Sequence, residues 1–407
     1  MRRFADHFPV LLGMFLGGAA FAQEPDPRKA GLDPEKLAPL RARFQEFVDQ
    51  RHLSGAVYLV ARRGTVGCLE AVGFRDLETR APMRHDTIFR IASMTKPLTA
   101  AGILMLEDEG RLSTDDPVEK HLPEFKGQLM VQSKTGAAIT LVRPPRGITI
   151  RDLLTHTSGL AGLPPGLSDL YKRRHRTLAE AVMAFSQRPL EFEPGTRWSY
   201  SNTGMDTLGR VIEVVSGKRY EDFLEERIFR PLGMKDTFFY PAPERLERIA
   251  GLYRRDQEKL LGTDSFLGDV PEGRYPIPAG GLYSTAPDYF RFCRMLLDKG
   301  IFEGRRCLSE AAVEKMTAVQ TGDLKTGFVP GMGFGLGVGV VREPQGVTAM
   351  LSPGSFGHGG AFGTQGWVDP KKGMIYILMI SRVGLPNADA SEMRRTLQEA
   401  GAAAILD

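Results

Sequence analysis

The stretch Ile88–Leu106, IFRIASMTKPLTAAGILML, restricts the possible folds of this chain more than any other. A short β-type run, Ile88-Phe89-Arg90-Ile91, leads into a segment in which Thr99 is the only polar residue between Pro97 and Leu106. A run this apolar, closed by Glu107-Asp108-Glu109-Gly110, predicts a helix buried on most sides with Gly110 as its C-cap. Proline is tolerated only in a first turn, where its missing N–H has no intrahelical partner. Ser93 to Lys96 therefore form the first turn or the residues just before it. Ser93 and Lys96, three apart, share one helix face, which puts a hydroxyl and an amine together at the positive end of a buried helix. That pairing suits a nucleophile with its base, beside free backbone N–H groups. The plainer reading is an N-cap serine and a surface lysine, and the tetrad alone favours it.

The chain has 407 residues, enough for one large domain or two or three smaller ones. With 42% hydrophobic and 25% charged residues it has the composition of a soluble globular protein. A formal charge of +4 and the lack of zinc-finger or aromatic-basic motifs argue against a nucleic-acid partner. Arg2 and Arg3 precede an apolar run from Phe8 to Phe21 that ends in Ala20-Phe21-Ala22, the pattern of a secretory signal peptide cleaved after Ala22. The run is too short for a comfortable membrane span and no later stretch approaches one, so an exported protein without a transmembrane anchor is expected. No cysteine sits at the cleavage site to carry a lipid. Cys68, Cys293 and Cys307 are too few for a disulfide framework. Cys293 falls on the apolar face of a predicted helix, so a buried free thiol is the expectation, with a Cys293–Cys307 bridge as the alternative.

Asp33-Pro34 opens a helix that restarts at Pro39, with Leu37, Leu40, Phe44, Phe47 and Val48 on one stripe. Gly55–Arg63 and Val66–Phe74 predict a β-hairpin around Arg63-Gly64. Residues 124–147 form a polar, turn-rich loop or small hairpin. Thr149-Ile150-Arg151-Asp152 and Thr285-Ala286-Pro287-Asp288 are capping boxes at helix starts. Helices are expected over Leu178–Ser186, Met205–Ser216 and Tyr220–Phe229, and a mostly irregular stretch over 236–275. Met332–Val341 alternates strictly and predicts a strand. Gly360–Val368 and Met374–Ile380 are strands flanking a turn, and a last helix covers about Ser391–Leu406. The fold class is α+β: strand pairs at both ends share one antiparallel sheet, with a helical lobe between them.

Two further short motifs could join Ser93 in a cleft between the lobes. Tyr200-Ser201-Asn202 lies on a loop at a helix start, where a phenol beside an ammonium loses its proton more easily and suits a general base. Read plainly, it is a half-buried tyrosine and an N-cap asparagine. His358-Gly359-Gly360 opens a strand after the loop Ser352–Gly357, its glycines permitting close approach of a ligand. A histidine in a turn is the plain reading there. Ser-x-x-Lys occurs only at Ser93, Tyr-x-Asn only at Tyr200 and His-x-Gly only at His358, in the order helix, helical lobe, sheet.

This set resembles the serine β-lactamase and penicillin-binding-protein superfamily, in its class C-like branch, which includes class C β-lactamases, D-Ala-D-Ala carboxypeptidases and family VIII carboxylesterases. The likeness runs from about residue 34 to the C-terminus and takes in LLTHTSGL (153–160), PGTRWSYSN (194–202) and FGHGGAFGT (356–364). Lys134-Thr135-Gly136 and Lys325-Thr326-Gly327 match the superfamily's usual third box in letters but lie in the wrong places, and both are expected to be exposed turns. The basic run Lys172–Arg176 is expected to be a solvated face. No metal-ligand spacing or Gly-x-Ser-x-Gly elbow is present, so no metal or cofactor is expected.

The resemblance implies helices on both faces of the sheet. It also implies one catalytic domain over 23–407, with an α/β lobe at about 30–95 and 280–407 and a helical lobe at about 96–279. Ser93 would form an acyl-enzyme, helped by Lys96, whose pKa burial and nearby positive groups would lower. Tyr200 would shuttle the proton, Asn202 would bond the acyl side, and the N–H groups of Ser93 and Ala361, just past Gly360, would form the oxyanion hole. His358 would orient a substrate carboxylate or tune the Tyr200–Lys96 pair. A small-molecule or peptidoglycan-like substrate follows, with a β-lactam or D-amino-acid peptide amide as the leading reading. A short-acyl carboxylesterase is the second, and a penicillin-binding sensor without turnover the third.

Overall fold

The computed structural model describes residues 24–406 apart from 269 and 271, so the expected signal peptide lies outside the described residues. Eight antiparallel strands form the main sheet: β1 Gly55–Arg62, β2 Thr65–Asp76, β3 Ala81–Pro82, β4 Met332–Phe334, β5 Gly339–Val341, β6 Phe356–Gly359, β7 Gln365–Asp369 and β8 Met374–Ile380. Their order is β4-β5-β6-β7-β8-β1-β2-β3, so the two ends of the chain meet where β1 pairs with β8, Ala56 opposite Ile380 and Arg62 opposite Met374. Both strands are buried along their whole length. Side chains alternate between faces. Val57, Leu59, Ile375, Ile377 and Met379 accordingly join one core, and Tyr58, Val60, Tyr376, Leu378 and Ile380 another. Helices α1 (Pro39–Asp49) and a C-terminal helix (Glu392–Ala403) cover the second face through Phe44, Phe47 and Leu397. Ala286–Leu297 packs on the first.

The opening stretch folds as expected. Phe89–Arg90 pairs with Tyr283–Ser284, Ala92–Thr95 makes a 3₁₀ turn, and α2 (Lys96–Asp108) follows with every residue from Lys96 to Leu106 buried. Pro97 sits in its first turn and Gly110 takes a left-handed φ of +69° at its end. This helix forms the interface between sheet and helical region: it packs on α3 (Asn202–Ser216), another buried amphipathic helix, and its sides reach both. Burying each of Leu98, Ile103, Leu104 and Leu106 contributes about 1.5–3 kcal/mol of transfer free energy.

Several elements depart from the sequence expectation. Met332–Val341 is a tight hairpin, β4 and β5, and not one strand. Gly337, at φ +73°, makes the turn, and a Cβ there would stand 2.6 Å from Ala100 Cβ of α2. Its alternating glycines serve a turn and a close helix contact, which imitate strand periodicity. His358 lies within β6, before the Gly360–Thr364 turn, and not at the start of a strand. The helix at Tyr220 loses α geometry at Leu224 and passes through a π turn to Phe229. Arg174 in the basic run is buried, donating to the carbonyls of Leu267 (2.9 Å) and Phe239 (3.0 Å), so the middle of that run ties two loops together. The 124–147 segment contains the hairpin Met130–Thr135/Ala138–Val142, and Lys134 and Lys325 are exposed. All three cysteines are free thiols, Cys293 buried, so no Cys293–Cys307 bridge forms. Among the described residues no helix is long and apolar enough to cross a membrane.

Candidate active site

Ser93 sits on the 3₁₀ turn, one residue after Ala92, whose φ of +44° is left-handed. A non-glycine residue held there carries backbone strain of a kind that clusters at functional sites. Distant segments hold the turn: Ile91 N–H donates to the Leu282 carbonyl (3.0 Å), Leu282 N–H to Thr95 Oγ1 (3.2 Å), and Tyr289 Oη to the Met94 carbonyl (3.1 Å).

Lys96, fully buried, donates from Nζ to Ser93 Oγ (3.0 Å), Asn202 Oδ1 (2.9 Å) and the Ala279 carbonyl (2.6 Å). Burial lowers its pKa to about 7, and the Asp206 carboxylate opposes the drop. The neighbouring charge is thus negative, not positive as expected from sequence. A neutral amine keeps two N–H donors and one lone pair. Ala279 and Asn202 offer only acceptor oxygens, which leaves the lone pair for Ser93, the one partner with a proton to give.

Tyr200 reaches the same hydroxyl. Burial raises its phenol well above its ordinary value, and a hydrogen bond with Ser93 offsets only part of that. Lys96 Nζ lies 4.6 Å from the ring centroid, over the face and not at the oxygen. The phenol therefore keeps its proton at neutral pH. Here the expectation of an easily ionised tyrosine is corrected: desolvation, with a smaller push from Asp389, outweighs the Ser93 hydrogen bond. His156, absent from the sequence assignment of the site, holds the tyrosine in place. It sits at φ +59° with its ring centroid 4.5 Å from that of Tyr200, its Nδ1 accepts from Ser201 N–H (3.2 Å), and its carbonyl accepts from Ser199 N–H (2.9 Å).

Asp206 was also missed. It lies one turn beyond Asn202 on α3, fully buried, and accepts from Tyr171 Oη (2.6 Å), Tyr275 Oη (2.8 Å) and Ala279 N–H (2.9 Å). Burial raises its pKa to about 6 against these bonds. By holding Ala279 N–H it fixes the residue whose own carbonyl accepts from Lys96. The i, i+4 spacing of Asn202 and Asp206 was the available signal. Asp206→Asn keeps an acceptor for Ala279 N–H but removes the charge that favours the ammonium. The expected result is a lower Lys96 pKa, seen as an acid limb of kcat/KM moved below pH 7 in a pH-rate profile.

His358 is buried, its Nδ1 bonded to the Gly359 carbonyl (2.7 Å). Burial, then the positive charge of Lys96, push its pKa down to about 4, so it is neutral at pH 7. Its ring faces Tyr200 at 6.1 Å and Phe334 at 6.3 Å. Next to it, Gly360 N–H donates to the Thr364 carbonyl (2.7 Å) and Thr364 Oγ1 to the Ile91 carbonyl (3.3 Å), which straps this turn to the residues before Ser93. A Cβ on Gly360 would meet Ile91 O at 2.4 Å. Ala361, next in the turn, is exposed. Asn202 is also exposed, its Oδ1 committed to Lys96 and its amide nitrogen free to donate. Ser93, Lys96, Tyr200 and Asn202 thus converge directly, and His358, Gly360 and Ala361 lie along the adjoining strand and turn.

A hydroxyl whose proton has a buried amine to go to, with a protonated phenol on its other side, defines a serine acyl-transfer enzyme. The chain belongs to the β-lactamase family, whose model matches residues 40–401. It is a serine hydrolase of the β-lactamase and penicillin-binding-protein superfamily. Esterase EstB of Burkholderia gladioli is 32% identical over 382 residues, 87% of this chain and 93% of that protein. Penicillin-binding protein 4 of Amycolatopsis lactamdurans is 32% identical over 338 residues, 82% of this chain and 81% of its own length. The solved structure of EstCE1, described as a hydrolase with promiscuous acyltransferase activity, aligns with a TM-score of 0.76 at 25% identity, covering 90% of this chain and 98% of that one.

Proposed function

We propose that this protein is a carboxylesterase that hydrolyses carboxylic esters through an acyl-enzyme on Ser93. The observation that carries this reading is the neutral, buried His358 in the third box, bonded to its own strand. A β-lactam or D-amino-acid peptide presents a carboxylate, for which a lysine there would supply a permanent charge. An ester needs no such anchor. Similarity to EstB supports the same choice.

Neutral Lys96 takes the Ser93 proton as Oγ attacks the ester carbonyl, and the oxyanion is held by the N–H groups of Ser93 and Ala361. The tetrahedral intermediate expels the alkoxide, which takes the Tyr200 proton, and the phenolate is reprotonated from the Lys96 ammonium through a bridging water, since Nζ faces the ring and not its oxygen. Water then attacks the acyl carbonyl, its proton passes to Lys96, and the acid leaves as Ser93 Oγ regains a proton. Asn202 keeps Lys96 oriented through Oδ1 and offers its N–H₂ to the acyl side. Export after cleavage near Ala22 completes the proposal, and N-terminal sequencing of the mature protein checks it.

The test compares a p-nitrophenyl ester, a chromogenic cephalosporin and a fluorescent penicillin, following product and covalent label. Ester turnover exceeding cephalosporin turnover by orders of magnitude is expected, with kcat/KM rising through an apparent pKa of about 7 as Lys96 loses its proton. Rapid cephalosporin turnover, or a stable penicillin label without ester turnover, would reject the esterase reading.

A further inference from the structure

Among the described residues two phenylalanines stay exposed, Phe266 at 52% and Phe328 at 48%, and both border the site. Phe266 packs on Phe362, the neighbour of Ala361, with ring centroids 5.1 Å apart. Phe328 stands edge-on to Tyr200, the residue that protonates the departing group in the esterase reading, at 5.1 Å and to Trp198 at 6.0 Å. Exposed aromatic rings beside a proton donor form an apolar wall for that group.

The charge on this wall has the opposite sign to one built for a carboxylate. Phe328 is tied to the turn at 388–390: its carbonyl accepts from Asn387 Nδ2 (2.9 Å), and Asn387 caps the turn that carries Asp389. The Asp389 carboxylate lies over Gly359, with Oδ1 2.1 Å from where a Cβ on that glycine would stand, and accepts from Gln365 Nε2 (3.2 Å). The Asp389 charge acts on both His358 and Tyr200, so an acid occupies the neighbourhood in which a carboxylate-binding enzyme needs a cation. Arg394, the buried cation nearby, donates to the Asp389 backbone carbonyl (2.7 Å) and to Gln398 Oε1 (3.3 Å), and lies 3.9 Å over the Trp367 ring. Among the described residues no ion pair engages the Asp389 carboxylate, although its charge is felt by both His358 and Arg394. Lys96 in its protonated form has all three donors committed to Ser93, Asn202 and Ala279.

We propose that Phe328, Trp198 and Asp389 form a leaving-group subsite that accepts the aryl or apolar alcohol of an ester when that alcohol is neutral or cationic and rejects one bearing a carboxylate. The proposal rests on the esterase reading and supplies its substrate class. An aromatic face attracts a cation and tolerates a neutral ring, and a nearby carboxylate strengthens the first and repels an anion.

Three acetates with a common acyl group test it: 4-nitrophenyl acetate, 3-(trimethylammonio)phenyl acetate and 4-acetoxybenzoate, each rate divided by its alkaline hydrolysis rate. The wild type is expected to favour the cationic over the anionic ester by about three- to tenfold in kcat/KM, more at low salt. Asp389→Asn should shrink that ratio to within about twofold. Phe328→Ala should lower the preference for aryl over ethyl acetate by about fivefold, with Phe328→Leu between. A wild type that handles 4-acetoxybenzoate as well as the cationic ester, or an Asp389→Asn protein with the ratio intact, overturns the proposal. A second readout does not need turnover: Ser93→Ala protein should bind phenyltrimethylammonium more tightly than benzoate, and equal or reversed affinities also overturn it. If no ester is turned over by Ser93 yet that binding order holds, the esterase reading fails and the subsite stands.

Discussion

Ser93→Ala is expected to lower ester kcat/KM by roughly 10⁴-fold or more and to abolish covalent labelling by an active-site-directed phosphonate, with KM little changed. The size of the loss follows from the geometry. Lys96 has three hydrogen-bond partners, and Ala279 and Asn202 turn acceptor oxygens to it. Without the serine the buried amine still sits at the helix start, but it has no proton to take and no oxygen to make nucleophilic. The substitution removes one half-buried hydroxyl and leaves an alanine, a good helix former, so the melting temperature should stay within a few degrees. A Ser93→Ala protein that hydrolysed activated esters at the wild-type rate would place the chemistry elsewhere.

Gly360→Ala is the second large effect, and it acts through the backbone. The added Cβ would stand 2.4 Å from the Ile91 carbonyl and 2.2 Å from Thr364 Oγ1. The first of these is main chain and cannot swing aside. Either the 360–364 turn or the strand before Ser93 must shift, and the turn carries Ala361, whose N–H is one of the two proposed oxyanion donors. Loss of one such donor costs about 10²–10³ in kcat. The expected result is a fall of that order in kcat with secondary structure by circular dichroism intact. A variant with near wild-type kcat would remove the 360–364 turn from the reaction.

The approach of Ser93 to Lys96 was legible in the sequence because short-range geometry determines it. Pro97 confined the start of the helix, and a three-residue offset then required Ser93 and Lys96 to face the same way. The sheet was also legible, since Gly55–Ala61 and Met374–Ile380 carry no charged residue and are satisfied by burial on both faces. What escaped were properties fixed by contacts between distant segments. The protonation state of Tyr200 depends on how much water the fold removes, which no residue pattern reports. Asp206 becomes important only because Ala279, 73 positions later, lies against it. Asp389 and Phe328 meet across a loop contact through Asn387. The hairpin at 332–341 was misjudged for another reason: glycine alternation satisfies a strand's period while supplying the φ values of a turn.

The way Lys96 is held also bears on how the enzyme comes into being. Its neighbours come from residues 93, 202 and 279, and the turn beside the nucleophile from 360–364, so nothing within the first half of the chain can assemble the centre. A chain emerging from the ribosome carries its serine unarmed until nearly all of it has been made. Activity therefore switches on late, as a product of complete folding, and a truncated or still-threading copy has an inert hydroxyl in place of a reactive one.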